Sequence, residues 1–309
     1  MMPATRQQFA ALVVAAAVLL SSGGCWQDER LPAADLSAAE SDQPFSLFLG
    51  EELGQIDYAQ LKVRNKCLAG EGYPQNLNIM LGEPRNPFRH LRITESSFGP
   101  ASEAEARRIG FGRDSLSAPP SVVSSDPSYD DAYDRCTAEA WRALSDDSQD
   151  VYYAYFELGN KLSEPLMPLI DEGMGSQWPQ KLLSCLASKG HGPKDEAAFL
   201  KSPNPALFDV PVGTDAAAGL DFWEPKRMPG TIEIGPAVPA SEYRAGPAES
   251  RLAVAWFQCR RDTGMAREQL RVAVEVQRDL IEKNEHLFVE LNPKVIDLAK
   301  QSADLIGAA

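Results

Sequence analysis

Five cysteines are the most reactive side chains in this chain: Cys25, Cys67, Cys136, Cys185 and Cys259. A thiol can be acylated, oxidised to a disulfide or used as a nucleophile, and its surroundings decide which. None of the five stands in a C-x-x-C pair, so a thioredoxin-like redox role lacks its usual site. His90, His191 and His286 are far apart, without the H-x-x-x-H or H-E-x-x-H spacing that zinc hydrolysis uses. There is no G-x-S-x-G elbow, no S-x-x-K, no Walker loop, no dinucleotide fingerprint and no EF-hand loop. Gly173-Met174-Gly175-Ser176 follows nothing that reads as a strand, so it is not a phosphate cradle. No catalytic residue, metal ligand or cofactor site is therefore assigned. The many Asp and Glu residues read as a solvated surface in which a carboxylate pair would be hard to spot.

Cys25 stands apart because of what precedes it. Residues 1–8 are polar and carry Arg6, residues 9–20 are unbroken apolar sequence, and Ser21, Ser22, Gly23 and Gly24 lead to the cysteine. A weakly positive start, a short apolar run and small residues at a cut site make residues 1–24 a secretory signal peptide. The run is shorter than the roughly 20 residues that span a bilayer. The small residues before Cys25 resemble a lipobox, which implies cleavage ahead of a cysteine that carries diacylglycerol. The lipobox prefers Leu three residues before the cysteine, where this chain has Ser22. Cleavage by an ordinary signal peptidase after Gly24 is the alternative.

Export puts the remaining thiols in an oxidising compartment. Five is odd. With Cys25 acylated, Cys67, Cys136, Cys185 and Cys259 form an even set able to close two disulfides. Three connectivities are open. Two acyl chains hold a protein on a membrane stably, where one does so only marginally. Residues 25–50 then form the lipidated cysteine and a tether rich in Asp, Glu, Ser, Ala and Pro, too poor in large apolar residues to order itself.

Composition narrows the partners. The formal net charge is −14, and loss of Arg6 with the signal makes it one unit more negative. Nucleic acid needs a basic footprint, and a polybasic membrane contact needs the same. A hydrophobic content of 44% is enough for a core. The partners indicated are the membrane, through the anchor, and an envelope protein or cell-wall component.

The elements that must position these residues read as mainly α-helical, in two stretches, residues 51–145 and 146–309. Apolar spacing predicts helices over 57–69, 103–109, from Asp126-Pro127 to Leu144, and over 150–162. Ser102 with Glu105 has the pattern of a capping box, and Pro127 suits a first helical position. Pro165 and Pro168 interrupt, and a further helix carries Trp178, Leu182, Cys185 and Leu186 to Gly190. Residues 202–247 are a Pro-rich irregular crossing with one short strand at 231–234. Residues 248–261 form a helix with Leu252, Ala255, Trp256 and Cys259 on one face, which Gly264 ends. The longest helix, 265–290, and a last one capped by Asn292 with Pro293 in its first turn complete a helical bundle with a C-terminal long-helix hairpin.

Three patterns carry two readings each. Ala273, Gln277, Leu280, Asn284, Leu287 and Leu291 form a heptad-like stripe. Its Gln277 and Asn284 either set register or touch a ligand, and the first is the commoner use. Trp141, Tyr152, Tyr153, Tyr155 and Phe156 cluster in sequence, but Tyr152, Tyr153 and Tyr155 point to different sides of a helix, which favours core over a sugar-binding platform. Cys67-Leu68-Ala69-Gly70-Glu71-Gly72 echoes Cys185-Leu186-Ala187-Ser188-Lys189-Gly190. Either two halves are duplicated, which would pair Cys67 with Cys136 and Cys185 with Cys259, or two helices end alike because a left-handed glycine suits a helix C-terminus.

Residues 249–285, ESRLAVAWFQCRRDTGMAREQLRVAVEVQRDLIEKNE, resemble the C-terminal signature of actinobacterial secreted lipoproteins of unknown function. Cys67 to Tyr73 and Ala106 to Phe111 are similar to earlier pieces of that family, although His191 stands where a tyrosine is more usual. The resemblance implies an extracytoplasmic helical protein and no activity. The sequence thus points to a membrane-anchored extracytoplasmic lipoprotein that binds or supports without catalysis. A cell-wall hydrolase using a carboxylate pair is the alternative.

Overall fold

The computed structural model describes residues 43–79, 82–215 and 223–308. The expected signal peptide of residues 1–24, Cys25 and the expected tether as far as residue 42 lie outside them. The chain is mainly helical: α1 (Gly50–Gly70), α2 (Glu103–Ile109), α3 (Pro127–Leu144), α4 (Ser148–Ser163), α5 (Leu166–Gly173), α6 (Gln177–Ser188), α7 (Glu196–Lys201), α8 (Pro247–Asp262) and α9 (Met265–Ala308). Among the described residues four short strands accompany them: β1 (Val122–Ser124), β2 (Thr214–Asp215), β3 (Ile232–Ile234) and β4 (Tyr243–Arg244). β1 pairs antiparallel with β3, setting Val122 opposite Ile234, and β2 pairs with β4. β3 is the strand expected within the Pro-rich crossing.

Local signals start and stop these helices. Ser102 Oγ accepts from Glu105 N at 3.1 Å and opens α2. Asp126 accepts from Ser128 N at 3.0 Å ahead of Pro127 and opens α3. Pro165 precedes α5, which restarts after α4. Gly264, with φ of 80°, separates α8 from α9.

The main core forms around α9. Its Leu270, Ala273, Leu280, Leu291, Val295 and Leu298 are buried against Leu53 and Ile56 of α1, Val151, Tyr155 and Leu158 of α4, and Ile170 of α5. A second core gathers Leu182 and Leu186 of α6, Phe199 of α7, Phe208, and Leu252 and Trp256 of α8. Residues on both sides of position 145 contribute to the main core, and the described residues belong to one unit by contact.

Three elements depart from the sequence expectation. α1 begins at Gly50, seven residues before the predicted start at Asp57. Gly50 and Gly54 are poor helix formers, but the fold needs them: a Cβ at Gly54 would run into the backbone carbonyl of Arg85, and one at Gly50 into the side chain of Asn86. Residues 43–50, assigned to the tether, are instead packed. Phe45 and Phe48 are buried, and Pro44–Leu47 makes a 3-10 turn. They dock because Gln277, fully buried on α9, accepts from Phe45 N at 3.3 Å and donates to Gln43 Oε1 at 3.1 Å. Finally, α9 does not end near Glu290 but runs as one helix through Pro293. Asn292 does not cap. Its Oδ1 accepts from Tyr155 Oη at 2.8 Å and its Nδ2 donates to Leu47 O at 3.1 Å. Pro293 leaves the carbonyl of Val289 without its helical donor. Pro293 and Val289 both face solvent, and Leu291 and Val295 on the opposite face hold the helix to the core.

Candidate functional site

The four cysteines beyond Cys25 are brought together in two pairs. Cys67 near the end of α1 meets Cys136 of α3, with Cα atoms 5.6 Å apart. Cys185 of α6 meets Cys259 of α8, with Cα atoms 5.7 Å apart. Both pairs stand at disulfide distance. The closed loops span 69 and 74 residues, long enough that each cross-link removes about 4 kcal/mol of unfolded-chain entropy.

The sequence echo around Cys67 and Cys185 has a local cause. Tyr73 N donates to Leu68 O and His191 N to Leu186 O, both at 2.9 Å. Gly72 and Gly190 hold φ of 102° and 83° at the same place in each turn. This is a helix terminus built on a left-handed residue, which accounts for the glycine the two segments share, and the cysteines pair as the duplication reading would pair them.

Other sequence candidates are taken up by the interior. Trp141, Tyr152 and Tyr155 are core residues, whereas Tyr153 is exposed. Gln277 donates also to Leu91 O at 3.3 Å, so its amide is satisfied by protein groups and sets register. Asn284 Nδ2 donates to Leu280 O of its own helix at 2.8 Å. His90 accepts from or donates to Ser163 Oγ at 2.6 Å, and burial, with Arg89 nearby, holds its pKa below the usual range. Among the described residues no cluster of three His, Cys, Asp or Glu side chains is placed to hold a metal ion. No helix among them is long and apolar enough to cross a membrane. Cys25 lies outside the described residues.

The sequence reading passed over the feature with the most unusual chemistry. A cavity of about 520 Å³ opens beside the second core, with Trp256, Arg260, Met265 and Gln269 among its buried lining. Arg260 is 1% exposed. Its Nε and Nη2 both donate to Gln269 Oε1, at 3.1 and 2.9 Å. Its Nη1 is buried and has no hydrogen-bond partner among the described residues. Burial pushes the guanidinium down to about 10, opposed by the charge of Glu95, so it stays cationic at neutral pH. Glu95 is not its partner by hydrogen bond. That carboxylate is held by Arg261, at 3.0 and 2.9 Å.

Two acids line the same cavity, in different states. Glu249 is 2% exposed and accepts from Phe111 N at 3.0 Å, Gly213 N at 2.6 Å and Tyr243 Oη at 2.9 Å. It ties two loop segments and β4 to α8. Asp171 sits on the exposed rim, where partial burial raises its pKa. Phe98 lies under the Arg260 guanidinium, 5.8 Å from ring centroid to Cζ. A second cavity, of about 730 Å³, adjoins the first and shares Gly99, Phe111, Arg113 and Met167 with it. Arg89, Arg92, Arg108 and Arg113 line it, and of these only Arg108 has an ion-pair partner among the described residues, Asp114.

One sequence signal for this site existed. Leu252, Trp256 and Arg260 are spaced by four, which puts the arginine on the apolar face of α8. A charge at that position is either buried by mistake or buried for a partner.

No protein-family model matches the chain, and no curated protein and no solved structure is similar to it.

Proposed function

We propose that this chain is an exported lipoprotein of the cell envelope, held at the outer face of the membrane by acyl chains on Cys25, that binds its target without transforming it. The observation that carries the proposal is the pairing of Cys67 with Cys136 and of Cys185 with Cys259. Two disulfides belong to an oxidising compartment, and they leave Cys25, behind a signal-like segment, outside both pairs. Membership of the actinobacterial secreted lipoproteins that residues 249–285 resemble is part of the same proposal.

Binding is favoured over hydrolysis by the state of the acids. A glycosidase needs two carboxyl groups roughly 5–10 Å apart with oxygens available to sugar and water. In the cavity floored by Arg260, Glu249 spends its oxygens on two backbone amides and a tyrosine hydroxyl. The target is an envelope protein or a cell-wall component.

The anchor is tested with Cys25→Ala. The variant is expected to lose incorporation of radiolabelled palmitate and to leave the membrane fraction, or to retain its signal. A variant as membrane-bound and as fully processed as the parent would sink the anchor. Catalysis is tested by incubating the purified chain with peptidoglycan, where no soluble muropeptide is expected. Release that is lost on substituting one acid would replace binding with hydrolysis.

A further inference from the structure

We infer that the cavity floored by Arg260 and Trp256 is a binding site for a small organic anion with an apolar body, whose carboxylate or phosphate group accepts from Arg260 Nη1. This deepens the binding-protein reading above and rests on it.

The electrostatics of the floor require a partner. Arg260 and Arg261 are neighbouring positive charges, the first enclosed and the second partly exposed, and Glu95, the carboxylate beside them among the described residues, is bound by Arg261. Arg260 is left with the neutral oxygen of Gln269. A buried guanidinium with an unmade N–H bond is costly, and replacing buried charged groups with well-packed apolar side chains is often neutral or stabilising. A bidentate or charge-assisted bond to an incoming anion would relieve the cost.

The space beside Arg260 suits a ligand with a hydrophobic part. At Gly99, which lines the cavity, a Cβ would stand 3.5 Å from Nη1, so at this position no side chain covers that enclosed nitrogen. Trp256, Phe98 and Met265 supply buried or half-buried apolar surface around it. A volume of about 520 Å³ lies within the usual range of roughly 300–1,000 Å³ for small-molecule pockets. Arg89, Arg92 and Arg113 make no ion pair among the described residues and line or border the adjoining cavity. Their concentration there, in a chain of net charge −14, gives this side of the molecule a local field that attracts anions. Two acids in the same cavity oppose it: Glu249, whose carboxylate three donors already face, and Asp171 on the exposed rim, where water and salt screen its charge.

The test compares phenylacetate, phenyl phosphate and the neutral phenylacetamide by isothermal titration calorimetry on the purified full chain. At least one anion is expected to bind roughly ten- to a hundredfold tighter than the amide, the margin of one buried charge-assisted bond. Tighter phenyl phosphate assigns a phosphate ligand, and tighter phenylacetate a carboxylate. Equal affinity of all three, or no heat from any, overturns the inference. That comparison needs no variant. Arg260→Met combined with Gln269→Leu is then expected to melt no lower than the parent and to abolish the preference for anions. A variant that folds and keeps the preference also overturns the assignment. Every readout is made on purified protein, so it stands or falls independently of the Cys25 anchor.

Discussion

Replacing Gln277 by Leu is expected to cost about 2–4 kcal/mol, and the structure shows where the loss arises. Gln277 is 0% exposed and bonds to Phe45 N, Leu91 O and the side chain of Gln43. Leucine is close in volume, so the cavity term is small and the hydrogen-bonding term dominates. Two backbone groups, Phe45 N–H and Leu91 C=O, become orphaned in the interior, at about 1–3 kcal/mol each. Gln43 loses less, because Ile93 N still donates to its Oε1 at 2.9 Å and its Nε2 still donates to Ile93 O. Some of the loss returns as burial of the leucine side chain, which holds the net figure below the sum of the two orphans. In a domain of this size the midpoint of thermal unfolding should fall by roughly 4–8 °C. Urea denaturation at fixed protein concentration gives the free energy directly, with an unchanged slope showing that the folded and unfolded states keep their extent. A double-mutant cycle with Gln43→Leu should show coupling, since the two amides bond to each other. A Gln277→Leu variant as stable as the parent, or a cycle with no coupling energy, would refute the idea that buried amides fasten residues 43–49 to α9.

Two smaller perturbations test the packing of α1. Gly54→Ala improves helix propensity by about 1 kcal/mol, yet should destabilise by about 1–3 kcal/mol net, because its methyl meets the Arg85 carbonyl, which is backbone and cannot swing aside. Gly70→Ala, with nothing within 4 Å of the added carbon, should be neutral or stabilising in the same urea assay, and a stabilising Gly54→Ala would contradict the close approach. Asp57→Asn probes charge. Burial raises the Asp57 carboxyl above its usual range, against the smaller lowering effects of Arg64 and the Tyr152 hydrogen bond. The folded state therefore holds this proton more tightly than the unfolded chain, so stability from it is complete below about pH 4 and is lost as pH rises through the folded value. The asparagine variant should be more stable than the parent at pH 7 and lose that advantage in acid, and an advantage independent of pH in thermal melts would show that the carboxyl is not the cause.

Much of the secondary structure was legible because its causes are local. Ser102, Asp126 and Gly190 act on backbone within a few residues of themselves, so their effect can be read where they stand. The departures have distant causes. The first turns of α1 depend on Arg85 and Asn86, which only the folded chain brings to Gly50 and Gly54. Residues 43–49 look like tether until an amide more than 200 positions away receives them. Pro293 reads as a helix start because its cost is certain and its compensation, burial of Leu291 and Val295, belongs to the tertiary structure.

Arg260 is a different kind of miss, and a more instructive one. Its position on the face of Leu252 and Trp256 was visible in the spacing, but a charged residue beside a second arginine reads naturally as surface. In the fold the two neighbours part: Arg261 is partly exposed and paired with Glu95, whereas Arg260 is enclosed and under-paired. A fold optimised for stability alone has little need of a charge at that position, since the guanidinium gains one amide oxygen, the face of Phe98 and the unbonded charge of Glu95 in return for its burial. Residues that break the local rule without compensation inside the chain are where function is most often found. Here the missing compensation has a defined sign, a negative one, and a defined place, the cavity side of Nη1.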